Sequence, residues 1–152
     1  YVIVMGYDEH YNGSPEAGSV ASLDFVRNGI VNTLASVPAE KLINALPFYT
    51  RMWEEYVDEN GQQVLNSKAY TMKASYDRVE ELGLIANWSG SMGQYVAEGD
   101  VEGHHYSVWL EDVKSIEEKM KLVSEYGLAG VAAWSLGGEF PEVWDVINKY
   151  NR

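Results

Sequence analysis

Three apolar segments of the chain each end in side chains that can do chemistry. In chain order, the segments end in Tyr7 with Asp8, in Tyr49 with Arg51, and in Trp134. A phenol hydroxyl and a carboxylate make directional hydrogen bonds, whereas an indole offers a flat apolar face. A pyranose ring needs these groups, because its rim is polar and its ring faces carry C–H groups. The sequence therefore predicts a sugar-holding site where the three segments meet.

Each of these groups also has a simpler interpretation. The Tyr–Asp pair alone is more typical of an ordinary strand end with a capping carboxylate. Trp134 alone is more often a core residue than a binding surface. Arg51 has Glu54 and Glu55 close by in sequence as partners for an ion pair.

The apolar segments themselves are predicted to be parallel strands. Residues 1–8, 41–49 and 130–135 are nearly continuous in apolar side chains, which is typical of strands buried on both faces. A helical spacing of apolar residues follows each strand after a gap. Alternating strands and helices indicate a parallel sheet with helices packed outside it, and such folds collect their chemistry at the carboxyl ends of the strands.

Local signals predict where the helices begin and end. The first helix should start near Ser22. Ser115 with Glu118 resembles a capping box at the start of a second helix, which Gly127 would end. Pro141 is expected at the first position of the last helix.

Residues 55–111 interrupt this alternation. They contain turn residues at 59–61, a helical spacing over 72–82, and short strand-like pieces at 94–97 and 105–110. We expect a small α+β insertion here.

Strand alternation sets which site residues share a face. Met5 and Tyr7 lie on one side of the first strand, and Trp134 shares a side of the last strand with Ala132 and Gly130. Small residues beneath the indole leave it room to lie flat.

Composition excludes several classes of partner. The net charge is −12, with 23 acidic and 11 basic residues, so we expect neither nucleic acid nor an anionic membrane to be a partner. The chain has no Cys, and no apolar run approaches the roughly 20 residues of a membrane span. His104 and His105 lie far from His10 in sequence, so no metal site is predicted.

Three motifs in order carry a family resemblance. "VMGYD", "KLINALPFYTR" and "GVAAWSLGGE" resemble the sixth, seventh and eighth strands of glycoside hydrolase family 18, the chitinase-like (β/α)₈ barrels. The insertion also falls where that family has one, between the seventh strand and the seventh helix. Within that family, the sequence most resembles bacterial spore and cell-wall N-acetylglucosaminidases with LysM modules.

The resemblance implies an α/β chain that is the C-terminal portion of a TIM barrel. Residues 1–54 and 112–152 would be the partial barrel and 55–111 the insertion subdomain. A whole barrel needs roughly 250 residues, and this chain has 152. The family's Asp-x-x-Asp-x-Asp-x-Glu motif, which supplies the general acid on the fourth strand, does not occur here, so the chain alone is expected to be inactive.

The resemblance also implies roles for particular residues. The substrate would be an N-acetylglucosamine-containing polysaccharide, chitin or peptidoglycan, cleaved with retention by attack of its own acetamido oxygen, and no cofactor is implied. Tyr7 and Asp8 would be the catalytic residues of this chain. Substrate contacts would come from Met5, Tyr49, Arg51, Trp134 and, in the insertion, Trp88.

Three further expectations follow. Some family 18 barrels are lectin-like proteins that have lost the acid, so carbohydrate binding without hydrolysis stays open as the alternative function. The first and last strands would have open edges, so the chain alone is expected to self-associate. The resemblance places the parent protein in a bacterial cell wall, in a spore or outside the cell.

Overall fold

A computed structural model of the chain describes residues 1–150. Its elements are, in chain order, β1 (Val2–Met5), α1 (Leu23–Leu34), β2 (Leu42–Pro47), β3 (Tyr49–Val57), β4 (Gln63–Thr71), α2 (Met72–Glu81), β5 (Ala86–Ser89), β6 (Gln94–Val101), β7 (His104–Leu110), α3 (Val113–Glu125), β8 (Gly130–Trp134) and α4 (Val143–Tyr150). Across this range, no helix is both long and apolar enough to cross a membrane.

The first sheet is parallel and has three strands in the order β1-β2-β8. Met5, Ala45 and Ala132 stand side by side across it. The three predicted strands and their parallel arrangement are confirmed. The sheet is open, with β1 and β8 as its two edges.

The helices cover one face of this sheet. Val4 and Leu42 pack with Val26 and Ile30 of α1, because alternate residues of each strand point the same way. Further along β2, Leu46 packs in the cluster that includes residues of α3 and α4. The other face stays open to solvent.

The second sheet is antiparallel and has five strands in the order β4-β3-β7-β6-β5. It begins at Tyr49, so the second apolar segment of the sequence contains the end of one strand, β2, and the start of another, β3. The sequence did not indicate β4 or β5. Their side chains are half-buried or exposed, so neither strand shows the apolar pattern of a buried one.

Helix ends agree with the sequence in part. Ser22 caps α1 by accepting a hydrogen bond from the N–H of Phe25, as expected. The predicted start of α3 at Ser115 was wrong: Asp112 is the N-cap and Ser115 is the third helical residue. The box is therefore Asp112 with Ser115, and each side chain accepts a bond from the other residue's N–H.

Of the other two predicted helix ends, the one at Gly127 is confirmed and the one at Pro141 is wrong. Gly127 follows α3 with a φ of +62°, and its N–H and that of Leu128 close the helix on Ser124 and Val123. Pro141 is not the first residue of α4. It lies in the turn before the helix, where its carbonyl accepts a hydrogen bond from Trp144.

Candidate functional site

Tyr7, Asp8 and Tyr49 form one cluster at the carboxyl ends of β1 and β2. The hydroxyl of Tyr49 donates a hydrogen bond to Oδ1 of Asp8. The rings of Tyr7 and Tyr49 meet edge to face, with centroids 6.1 Å apart. Asp8 is exposed, while both rings are half-buried. We call these three residues the tyrosine–aspartate cluster.

The backbone of Asp8 turns its carboxylate toward Tyr49. Its φ is +62°, in the left-handed region, which Asp tolerates better than most residues at a cost of about 1–2 kcal/mol. Bonds on either side hold this bend: Gly6 N–H donates to Ala45 and Glu9 N–H donates to Val20, at 3.1 and 2.9 Å. The surrounding structure thus fixes a conformation that the residue alone would avoid.

Both phenols of the cluster are held in the protonated form. Burial, and then the hydrogen bond and charge of Asp8, raise the pKa of Tyr49 far above its ordinary value. Burial and the charge of Asp8 also raise the pKa of Tyr7. Within residues 1–150 the Tyr7 hydroxyl has no hydrogen-bond partner, so it can donate to a ligand.

Met5 and Trp134 extend from the open face of the parallel sheet. Their side chains are 66% and 61% exposed, which leaves both surfaces accessible to a ligand. Trp134 pairs with Pro47 at the carboxyl edge of the sheet. Because β2 lies between β1 and β8, the indole starts about 10 Å across the sheet from the line of β1.

The loop after Trp134 is anchored to the end of β2. Phe48 N–H donates to the Trp134 carbonyl at 2.7 Å, and the peptide bond between Trp134 and Ser135 is cis. A Cβ on Gly138 would lie 2.1 Å from the Phe48 carbonyl oxygen, so this close approach requires glycine. The position of the indole therefore depends on β2 as well as on its own strand.

Arg51 lies on the same side of β3 as Tyr49, two residues further on. Its Nη1 donates to Ser67 at 2.9 Å, and its Nε is buried without a partner in the described residues. The alternative that it pairs with Glu54 or Glu55 is wrong, because Arg51 donates to Ser67 and forms no ion pair with either carboxylate within residues 1–150. Glu54 instead accepts from His104 and Tyr106.

Trp88 is not brought to the cluster. The register aligns it with Tyr95 and Leu110, on the face of the second sheet opposite Arg51. There the ammonium of Lys114 lies 3.6 Å from its ring centroid. A sequence pattern cannot find this, because the face of Trp88 depends on the pairing of three strands.

Glu9 is a structural residue of the site that the sequence analysis missed. Its carboxylate accepts from the N–H and hydroxyl of Ser22, at 2.7 and 3.0 Å. This ties the residue after Asp8 to the start of α1. The two residues lie 13 positions apart, so no local signal marks them.

The described residues also bear on whether the chain holds a metal ion. Across residues 1–150, no three His, Asp or Glu side chains come close enough to hold an ion. His104 instead places Nδ1 2.8 Å from Oε1 of Glu54.

Comparison with known protein families shows which family this chain belongs to. The model of glycosyl hydrolases family 18 matches residues 1–139. The chain belongs to glycosyl hydrolase family 18. The family resemblance read from the three strand motifs is thereby confirmed.

Family 18 relatives match along nearly the whole chain. The uncharacterized glycosylase YvbX of Bacillus subtilis is 30% identical over 150 residues, which are 98% of this chain and 42% of that protein. The cortical fragment-lytic enzyme of the same organism is 26% identical over 157 residues, covering 97% of this chain and 34% of the relative.

A solved structure supports the fold. The spore cortex-lytic enzyme SleL of Bacillus cereus superimposes on all of this chain with a TM-score of 0.85 at 21% identity, and the match covers 35% of that protein. The chain thus spans about a third to two fifths of the length of these family 18 proteins.

Proposed function

We propose that this chain is the sugar-holding part of a family 18 glycosidase that acts on an N-acetylglucosamine-containing polysaccharide. The observation that carries the proposal is the tyrosine–aspartate cluster, with the unpaired hydroxyl of Tyr7 at the edge of the sheet that also presents Trp134. A donor, a carboxylate and an exposed indole along one edge of a sheet suit a saccharide better than a flat apolar ligand.

The architecture supports a place within a (β/α)₈ barrel. We assign β1, β2 and β8 as its sixth to eighth strands, and the second sheet with α2 as the insertion subdomain. The open face of the parallel sheet exposes Ile3, Met5 and Trp134, an unusual set of large apolar residues to leave in water. Further barrel strands, in a longer protein, would turn this face into the interior of the barrel.

The geometry suits substrate-assisted hydrolysis, in which the acetamido oxygen of the substrate attacks its own anomeric carbon. Tyr7 would donate a hydrogen bond from its hydroxyl to that oxygen and hold it in line, and such orientation can be worth roughly 7–11 kcal/mol of the barrier. Asp8, bonded by Tyr49, would accept from the same sugar. Trp134 would lie beneath its ring, Met5 would line the wall and Arg51 would contact the rim.

The chain alone is proposed to lack hydrolytic activity. General acid catalysis contributes typically 10²- to 10⁴-fold, and the family motif that supplies the acid is absent from this sequence. Carbohydrate binding without hydrolysis is therefore the second candidate function. Both candidates use the same sugar-holding groups, and both fit a protein that acts in the bacterial cell wall or spore.

The substrate class is tested by titrating the ¹⁵N-labelled chain with chitotetraose, with cellotetraose as the control that lacks acetamido groups. We expect chitotetraose to shift the amide resonances around Tyr7, Asp8 and Tyr49 and the indole resonance of Trp134. Tyr7→Phe should weaken this binding about 3- to 10-fold, the loss of one hydrogen bond. The matched control is Tyr11→Phe, an exposed phenol in the following loop.

Three results would contradict the proposal. No response to chitotetraose at millimolar concentration, or an equal response to cellotetraose, would remove the acetamido-sugar assignment. Shortened oligomers released by the chain, seen by mass spectrometry, would disprove its inactivity.

A further inference from the structure

A fully buried polar network lies outside the site described above. At its centre, Glu111 and Lys119 are both completely shielded from solvent and form an ion pair. Within the described residues, neither side chain hydrogen-bonds to the tyrosine–aspartate cluster. The remaining members are Ser115, Gln94 and Ser19.

Every bond in this network has good geometry. The ammonium of Lys119 lies 2.9 and 3.1 Å from the two carboxylate oxygens of Glu111. The hydroxyl of Ser115 donates to the same carboxylate at 2.6 Å, and the amide of Gln94 donates at 2.7 Å. The other end of that amide, its oxygen, accepts from Ser19 at 2.7 Å.

The network joins three separate parts of the chain. Lys119 is in α3, Gln94 starts β6 of the second sheet, and Ser19 lies in the loop between β1 and α1. That loop, residues 9–22, begins directly after Asp8. Gln94 is therefore the one residue of this set that links the loop to the ion pair.

The loop is closed back on itself next to Asp8. The N–H groups of Glu9 and His10 donate to the carbonyls of Val20 and Ser19, at 2.9 and 3.1 Å. A bond that fixes Ser19 therefore also restrains Glu9 and His10, the residues that follow Asp8. Asp8, whose backbone is in the left-handed region, comes directly before these two restrained residues.

Stability alone does not account for an ion pair in this place. Burying two charges costs about as much desolvation as their attraction returns, and apolar side chains of similar size often serve as well. Directional bonds do supply what apolar packing lacks, because they fix the relative position of the groups they join.

We propose that Gln94 and Glu111 are positioning residues that anchor the loop 9–22 on the second sheet and so hold Asp8 where its carboxylate meets Tyr49. The inference rests on the proposed function only for the sugar-holding role of Asp8 and Tyr49. The anchoring itself is a property of the chain without any ligand.

Gln94→Met tests the proposal, because it cuts the link at nearly constant volume and leaves the Glu111–Lys119–Ser115 contacts in place. Ser19→Ala is the second variant, since it cuts the same link from the loop side. The control is Ser75→Ala, another fully buried serine, whose hydroxyl bonds only to the carbonyl of Met72 within α2.

Two signals report on position rather than on stability. One is hydrogen exchange of the Glu9 and His10 amides. The other is titration of the Tyr49 phenol, followed by ¹³C NMR of labelled tyrosine. When Asp8 moves away, the pKa of Tyr49 should fall, because the hydrogen bond and charge that help to raise it are lost.

We expect both link variants to speed the two amides at least 10-fold and to lower the titration midpoint of Tyr49, whereas Ser75→Ala changes neither at a similar loss of melting temperature. Unchanged amides and an unchanged Tyr49 in both link variants would overturn the proposal, and so would the same changes in Ser75→Ala. Neither measurement uses a sugar, so this inference and the proposed function can fail independently.

Discussion

At the scale of single residues, the site depends on polar groups that the fold either pairs or leaves open. Asp8 and Tyr49 satisfy one another, while the hydroxyl of Tyr7 stays available. A polar group without a partner is expected at a surface that binds ligands, where the ligand supplies the missing bond. A polar group without a partner in the layer between the sheet and the helices is instead expected to destabilise the fold.

Asn44 is such a case. It points from β2 into the layer between the sheet and the helices, is 1% exposed, and neither its amide nitrogen nor its oxygen has a partner in the described part of the chain. We expect Asn44→Leu to raise the free energy of unfolding by about 1–2 kcal/mol, because an unsatisfied buried amide is replaced by an apolar side chain of the same branching and number of heavy atoms. Urea denaturation measures the change.

The control for this change is Asn87→Leu, an exposed position on β5, which should alter stability by less than about 0.5 kcal/mol. A loss of stability in Asn44→Leu would show that the amide has a role that the apolar side chain does not replace.

At the scale of elements, the caps of α2 and α3 differ in what depends on them. Thr71 caps α2 through one bond to the N–H of Ala74. Asp112 caps α3, and its second carboxylate oxygen accepts from the hydroxyl of Tyr76 in α2. The cap of α3 thus also joins α2 to α3.

Asp112→Ala should therefore cost more than Thr71→Ala. We expect about 1 kcal/mol for Thr71→Ala, a typical cap, and about 2–3 kcal/mol for Asp112→Ala, which also leaves the half-buried Tyr76 hydroxyl without its acceptor. Guanidinium denaturation of the two variants gives both values. Equal losses would indicate that the bond to Tyr76 contributes nothing.

At the scale of the whole molecule, the open face of the parallel sheet is the dominant feature. Helices cover one side of β1, β2 and β8, and the other side presents apolar side chains to water. Contiguous apolar surface of this kind favours association, and the two unpaired strand edges add hydrogen-bonding capacity.

We expect the isolated chain to self-associate at micromolar concentrations, as measured by sedimentation velocity. Ile3→Lys should weaken the association at least 10-fold, because it places a charge on the open face at the edge strand β1. Val31→Lys, on the exposed side of α1 and of similar exposure, should leave it unchanged. A monomer at all concentrations, or equal effects of both variants, would contradict this expectation.

Much of the fold and part of the site are local properties of the sequence. Short stretches of sequence predicted three kinds of feature. These are the apolar runs that form β1, β2 and β8, the caps at Ser22 and Gly127, and the family motifs. These local signals can be read from sequence because a strand buried on both faces requires apolar residues, and a left-handed backbone position favours glycine.

The tertiary structure alone decided how distant groups meet. Asp8 and Tyr49 lie 41 positions apart, and the bond between Ser19 and Gln94 spans 75. The opposite faces of Arg51 and Trp88 depend on a register shared by several strands, and a shift of one residue would reverse them. The sequence by itself determined which polar and aromatic side chains follow the strands, and the packing of the two sheets and the loop decided which of them stand together.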